Sequence, residues 1–288
     1  MSGTLRTAGL FILLMMLFSA VGWAIGGYFL QDWVLGAVLF LTLAAVMNLV
    51  SYFMSDRIVL WSYKARLLEE KEAPNLFRLV RRVATFSDLP MPKVALIPSM
   101  TPNAFATGRN PNKAVVAVTR GILNTLSDEE LEGVIAHEMA HIKDRDILVM
   151  SVAATLAGAI AFMSRFFWWS ALFGRRSQGN IIVLLLIAIT APIAALLVQL
   201  AISRSREYKA DSVGARTIGR PLALAKALEK LDRANRRRPI EMGNPASSSL
   251  FIVNPFRRSV LTRLFSTHPP VEARVKRLKE MARELGRY

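Results

Sequence analysis

Residues 7–30 contain no charged side chain, and neither do residues 33–55, with only Gln31-Asp32 between them. A helix crosses the hydrocarbon of a bilayer with about 20 apolar residues, at about 1.5 Å each. Two such runs in succession rule out an ordinary soluble fold for the start of this chain. They also argue against a secretory signal, because the first run is long, lacks a small-residue cleavage site and leads at once into a second. Composition agrees only if its contrasts are separated along the sequence. The chain is 53% hydrophobic and yet 20% charged, with a mean hydropathy of +0.34, so apolar and charged residues must occupy different segments.

A second pair of apolar runs follows. Residues 147–164 are uncharged and continue across Arg165 through Phe166-Phe167-Trp168-Trp169 to Phe173, and residues 177–203 are uncharged again. Trp168 and Trp169 are placed like interfacial anchors, and Pro192 inside an apolar helix is tolerated in a membrane. Arg57, Lys64, Arg66, Lys71, Arg78, Arg81 and Arg82 follow the second run, and Arg204, Arg206, Lys209, Arg216 and Arg220 follow the fourth. The turn between the first two runs has no basic residue, and only Arg175 and Arg176 oppose the trend. The positive-inside rule therefore puts both termini and both polar segments in the cytoplasm. The expected organisation is a transmembrane hairpin at 1–55, the first part of a cytoplasmic domain at 56–146, a second transmembrane hairpin at 147–203 and the rest of the cytoplasmic domain at 204–288.

Charge narrows the partners. The net +16 comes from 37 Lys and Arg against 21 Asp and Glu, and residues 204–288 alone hold 20 basic and 8 acidic side chains. No aromatic-studded sheet or recognition helix accompanies them, so nucleic acid is excluded as a partner. Attraction to anionic membrane lipid is the simpler account for a segment tethered at the bilayer. The absence of cysteine fits a reducing compartment without requiring one.

In the first polar segment, residues 56–72 read as a helix leaving the membrane, and Leu76, Leu79, Val80, Val83 and Ala84 line one face of the next. The period then changes. Residues 93–97 and 114–119 are β-like, and between them lies Asn103-Ala104-Phe105. An exposed edge strand there can pair with an extended substrate.

Ser127, with Glu130 three residues on, is a capping-box start for a helix whose apolar positions are Leu131, Val134, Ile135 and Met139. That helix carries His137-Glu138-Met139-Ala140-His141. A spacing of four puts both imidazoles on one face, where they can share a metal, while Glu138 is offset enough to hold a water. Catalytic zinc keeps three protein ligands. With no Cys, and His268 the sole further histidine, the third ligand is His268 or a carboxylate, of which Glu207 is the best placed. It follows the fourth apolar run, so the membrane hairpin returns the chain to the face from which the histidine helix left. Asp211, one helical turn after Glu207, is placed to orient a ligating imidazole, as Asp144 and Asp146 also are. His268 and Arg274 are candidates to stabilise the oxyanion. The stretch 242–256 is long for a structureless link and reads as a lid or substrate-handling loop.

Four features in order, Asn103-Ala104-Phe105, His137 to His141, Glu207-Tyr208-Lys209-Ala210-Asp211 and His268-Pro269-Pro270 with Arg274, resemble the HtpX family of integral membrane zinc metallopeptidases, related to the CAAX prenyl endopeptidases. The resemblance covers essentially the whole chain. It implies a mainly α fold of four transmembrane helices and a cytoplasmic zincin-like, gluzincin domain with a small β-sheet. It further implies zinc on His137, His141 and Glu207, with Asp211 in support, Glu138 as general base, substrate on Asn103, Ala104 and Phe105, and His268 near the site but off the metal. The implied activity is cleavage of misfolded or damaged membrane proteins at the inner membrane. Two alternatives stand beside it: a membrane zinc peptidase of narrow specificity for lipidated or prenylated C-termini, and a non-enzymatic scaffold or transporter. Oligomeric state is not legible.

Overall fold

The computed structural model describes residues 3–173, 203–240, 245–256 and 268–286. Helix α1 (Gly3–Ile25) leads through a π-helical turn, Gly26–Leu30, into α2 (Trp33–Ser62). Asp32 caps α2 by accepting the Leu35 amide at 2.9 Å. The buried residues of α2, Gly36, Ala44, Asn48, Ser51, Ser55 and Val59, follow one face, whereas Val34, Leu39, Val46, Leu49 and Phe53 are exposed. So much exposed apolar surface is unstable in water. Among the described residues, Leu5–Ala24 and Trp33–Ser62 are long and apolar enough to cross a membrane.

With 30 residues, α2 spans about 45 Å against a hydrocarbon layer of about 30 Å. It is thus longer than a span of the hydrocarbon requires. The helix expected over 56–72 is not a separate element: α2 runs through residue 55 and stops at Ser62. Lys64 then takes a left-handed φ of 51°, and the chain goes on as strand β1 (Arg66–Leu67) and a 3-10 turn, Glu70–Glu72. Helical sequence pattern lost to a turn that docks Tyr63, fully buried, onto Phe105.

Strands β2 (Lys93–Ile97), β3 (Ala104–Thr107) and β4 (Val115–Thr119) complete one sheet in the order β1-β2-β4-β3. β2 is parallel to β4, and β3 is antiparallel to β4 with Phe105 opposite Ala117. The edge strand expected at Asn103 to Phe105 is β3 at the sheet edge, but it begins at Ala104 and is buried, not exposed, because the chain itself covers it. Side chains alternate between two cores. Ala95, Ile97, Phe105, Val115 and Ala117 face α1, α2 and α6 (Asp146–Phe173). Val94, Ala104, Ala106, Val116 and Val118 face α3 (Pro74–Phe86) and the helices beyond it. The predicted apolar face of α3, Leu76 to Ala84, is buried there.

A short helix α4 (Arg120–Thr125) precedes α5 (Asp128–Lys143). The Ser127 and Glu130 capping box forms with both bonds, at 3.3 and 2.9 Å. From Glu130 to Ile142 every residue of α5 is buried, because α3, β3, α7 (Arg204–Ile218) and α8 (Pro221–Arg237) surround it. Gly214 permits the tightest of these contacts. A Cβ there would lie 2.8 Å from the backbone of Ala136 and His137, so α7 rests directly on the histidine motif. Helix α9 (Val271–Glu284) closes the domain against α8 and α7. The backbone of α6 is unbroken through Arg165, as expected of the third apolar run, while residues 174–202, with the fourth run, lie outside the described residues.

Candidate metal centre

Helix α5 presents His137 and His141 on one face, and α7 crosses it with Glu207 turned inward. His137 Nε2 and His141 Nε2 are 3.2 Å apart. Glu207 Oε1 lies 3.3 Å from His141 Nε2, and Oε2 lies 3.8 Å from His137 Nε2. All three side chains are buried. Bonds of about 2.0–2.1 Å from a tetrahedral ion to nitrogen and oxygen leave the ligand atoms about 3.3–3.4 Å apart, so these spacings suit one ion. The donor chemistry agrees: Glu207 Oε1 is buried with only His141 Nε2, itself a would-be ligand, near it, a costly state for a carboxylate unless a cation takes the lone pair.

Each imidazole is held from behind by its own carboxylate. His137 Nδ1 is 2.9 Å from Asp211 Oδ1, and His141 Nδ1 is 3.4 Å from Asp146 Oδ2. A proton on Nδ1, donated to these acceptors, leaves Nε2 free to ligate. Asp211 therefore has the neighbour expected of it, and Asp146 does the same for the second ring. Asp144, the third candidate, pairs instead with Lys209 at 2.6 Å. Asp146 is brought back by a sharp junction: α5 ends at Lys143, Arg145 has a φ of 57°, and α6 begins at once.

Arg274 is fully buried, and its nitrogens are committed. Nε and Nη2 donate to Asp211 at 2.7 Å each, and Nη1 donates to the Ile252 carbonyl at 2.7 Å. Nη2 is also 3.4 Å from His137 Nδ1, the nitrogen turned away from the other ligands. This arrangement clamps the support of His137 with three of the five guanidinium N–H groups, and Nη1 also lies 3.7 Å from Glu207 Oε2, so Arg274 stands beside the ligand set. His268 Nδ1 is 2.9 Å from Glu207 Oε2, so His268 is beside the ligand set, where the resemblance put it. Asn103, Ala104 and Phe105 are buried at the start of β3, whose Ala106 amide donates to Glu138.

Burial sets the charges. It pushes the Glu138 carboxyl up to about 7, opposed by the neighbouring His141. It pushes His137 down to about 4, with Asp211 opposing. For His141 burial again disfavours charge, but hydrogen bonds and charge from Asp146 and Glu207 outweigh it and lift the imidazole to about 10. At neutral pH the metal-free pair thus carries one positive charge, from a second ring proton on His141, and a ligating metal must displace that proton.

Residues 70–282 match peptidase family M48. The chain belongs to that family. It is 52% identical over 285 residues to a protease HtpX homolog of Pyrococcus furiosus, covering 98% of this chain and 96% of that protein. A protease HtpX homolog of Pyrococcus abyssi is 51% identical over 286 residues, covering 98% and 97%. The crystal structure of S. mikatae Ste24p aligns with a TM-score of 0.49 at 19% identity, over 96% of this chain and 65% of that one. An HtpX-type M48 metallopeptidase is therefore an enzyme that hydrolyses protein with a metal, and the His137, His141 and Glu207 cluster is where this M48 chain can hold one. Sequence reasoning missed the Ile252 carbonyl on Arg274 and the Ala106 amide on Glu138. Arg274 did carry a signal, because it stands in the apolar stripe of Val275, Leu278 and Ala282 on α9, and a charge in such a stripe requires a buried partner.

Proposed function

We propose that this M48 metallopeptidase is a zinc-dependent endopeptidase of the inner membrane that cuts misfolded or damaged membrane proteins, with its active site and both termini facing the cytoplasm. The single observation that carries the reading is the three-ligand cluster at near-tetrahedral spacing, with Glu138 beside it on α5 and the edge strand β3 packed against that helix. Two nitrogens and one carboxylate oxygen suit zinc with an open fourth position. The exposed apolar faces of α1 and α2 support the membrane placement, and the basic residues after the second and fourth runs support the orientation. The division at 1–55, 56–146, 147–203 and 204–288 follows from the same reading, with α2 serving as one rod from bilayer to domain.

When bound, zinc supplies a Lewis acid that makes a water acidic enough to attack at neutral pH. The rest is the work of the chain. Glu138, raised by burial to about 7, takes the proton of the attacking water and returns it to the leaving amine. Asp211 and Asp146 fix the rings of His137 and His141, and Arg274 fixes Asp211. Asn103 and the start of strand β3, Ala104 and Phe105, align an extended substrate. His268 and Arg274, both beside Glu207, are the candidates for the oxyanion.

The test is a cleavage panel with zinc-loaded protein in detergent. Unfolded membrane proteins are expected to be cut at internal peptide bonds, and intact prenylated peptides to be poor substrates. Cleavage confined to the prenylated peptides would replace this reading with one of narrow specificity, and a zinc-loaded protein that cuts neither would fit a scaffold.

A further inference from the structure

The register of β3 decides which of its backbone groups face outward. The Thr119 amide donates to the Asn103 carbonyl at 2.9 Å, and Phe105 is opposite Ala117. Asn103 and Phe105 therefore spend their backbone groups on β4, and Ala104 and Ala106 turn theirs away from it. Three of these outward groups are already taken within the chain. The Ala104 amide donates to Asn103 Oδ1 at 3.1 Å, the Ala104 carbonyl accepts the Ile252 amide at 3.2 Å, and the Ala106 amide donates to Glu138.

We propose that residues 250–253 form an intramolecular strap seated where an extended substrate must pair with β3, and that an uncharged apolar segment of an unfolded protein displaces it. This rests on the peptidase reading above and names the class of segment the site accepts. Strand-like exchange fits the contacts. The Ile252 amide and carbonyl and the Val253 carbonyl are all engaged, the last by Asn103 Nδ2 at 2.6 Å, and each partner can turn to an incoming backbone instead. The side-chain slot is aromatic. Phe251 lies between Tyr63 and Phe105, with ring centroids 4.9 and 5.2 Å away. A charged residue in that place loses its hydration for no partner, so competitors resemble Leu250-Phe251-Ile252-Val253 itself.

The seat is good without being optimal. Leu250, Phe251, Ile252 and Val253 are buried, but so are the Ser248 and Ser249 hydroxyls, which have no hydrogen-bond partner among the described residues. Buried hydroxyls left unpaired oppose the apolar gain. The strap is thus held by exchangeable bonds and burdened by its own serines, as a displaceable element must be.

The chain has no cysteine, so Ser249→Cys gives a single reporter thiol. In full-length, zinc-loaded Glu138→Gln protein, maleimide labelling of that thiol is expected to be slow. A Leu-Phe-Ile-Val peptide with lysine tails, at the concentration that saturates wild-type cleavage, is expected to speed it at least about ten-fold by moving the population to the displaced form. An unchanged labelling rate overturns the strap. Ile252→Pro, which removes the amide given to Ala104, is expected to lower KM for the same peptide about five-fold, as one lost hydrogen bond shifts the equilibrium. A KM that is unchanged or higher counts against the proposal, and if that variant does not fold the labelling arm decides. Failure of the peptidase reading looks different: Glu138→Gln would then cleave as fast as wild type, whereas failure of the strap alone leaves that contrast intact.

Discussion

Glu138→Gln is expected to lower kcat for peptide hydrolysis about a thousand-fold, the contribution of a positioned general base, while the protein keeps its metal. The expectation follows from what Glu138 touches. It lies between the ligands on α5 but is not one of the three groups whose atoms converge. Gln preserves the size of the side chain and can still accept the Ala106 amide through its carbonyl. Only the capacity to take a proton is removed. Single-turnover cleavage and metal analysis on the same preparation check it; a variant that keeps more than about a tenth of wild-type activity contradicts the role, because general-base loss costs at least about a hundred-fold.

Arg274→Met is expected to be the most destabilising single change at the site. Arg274 and Asp211 form a fully buried pair with two bonds of 2.7 Å. Removing one partner of such a pair strands the other's charge and costs about 3–5 kcal/mol, which for a domain of this size lowers Tm by roughly 10 °C. The same change frees Asp211 from its clamp, so the metal affinity set through His137 should fall about 10- to 100-fold. Arg274→Lys keeps the charge without the planar fork and should recover part of the stability and less of the affinity. Thermal unfolding with and without metal separates the two effects. If Arg274→Met unfolds at the wild-type temperature, the clamp is not the role of Arg274.

How much of this was legible in the sequence depends on whether the cause was local. The capping box at Ser127, the period of α3 and the alternation of β2 and β4 are written in neighbouring residues, and each forms where the pattern puts it. The spacing of His137 and His141 fixes their common face before any packing is known. Glu207 could be named because a membrane hairpin was expected to return the chain to the face that the histidine helix left. Asp146 could be named only as one of several carboxylates, since its approach to His141 depends on the left-handed turn at Arg145. The helix expected over 56–72 was misjudged because burial of Tyr63 against Phe105 and Phe251 outweighs helical propensity there. Residues 242–256 carry no periodicity at all. The bond from Ile252 to Ala104 of β3 spans most of the domain, and no pattern within the segment announces that partner.

Calorimetric titration of zinc into metal-stripped protein tests the central claim most directly, with Glu207→Ala titrated in parallel. Wild type is expected to bind one ion per chain and, in buffers of different ionisation enthalpy at pH 7, to release at least one proton, because His141 is raised to about 10 without metal and must lose that proton to ligate. Glu207→Ala is expected to lose tight binding. Zinc binding of equal strength and stoichiometry in Glu207→Ala would contradict the three-ligand centre on which the account rests.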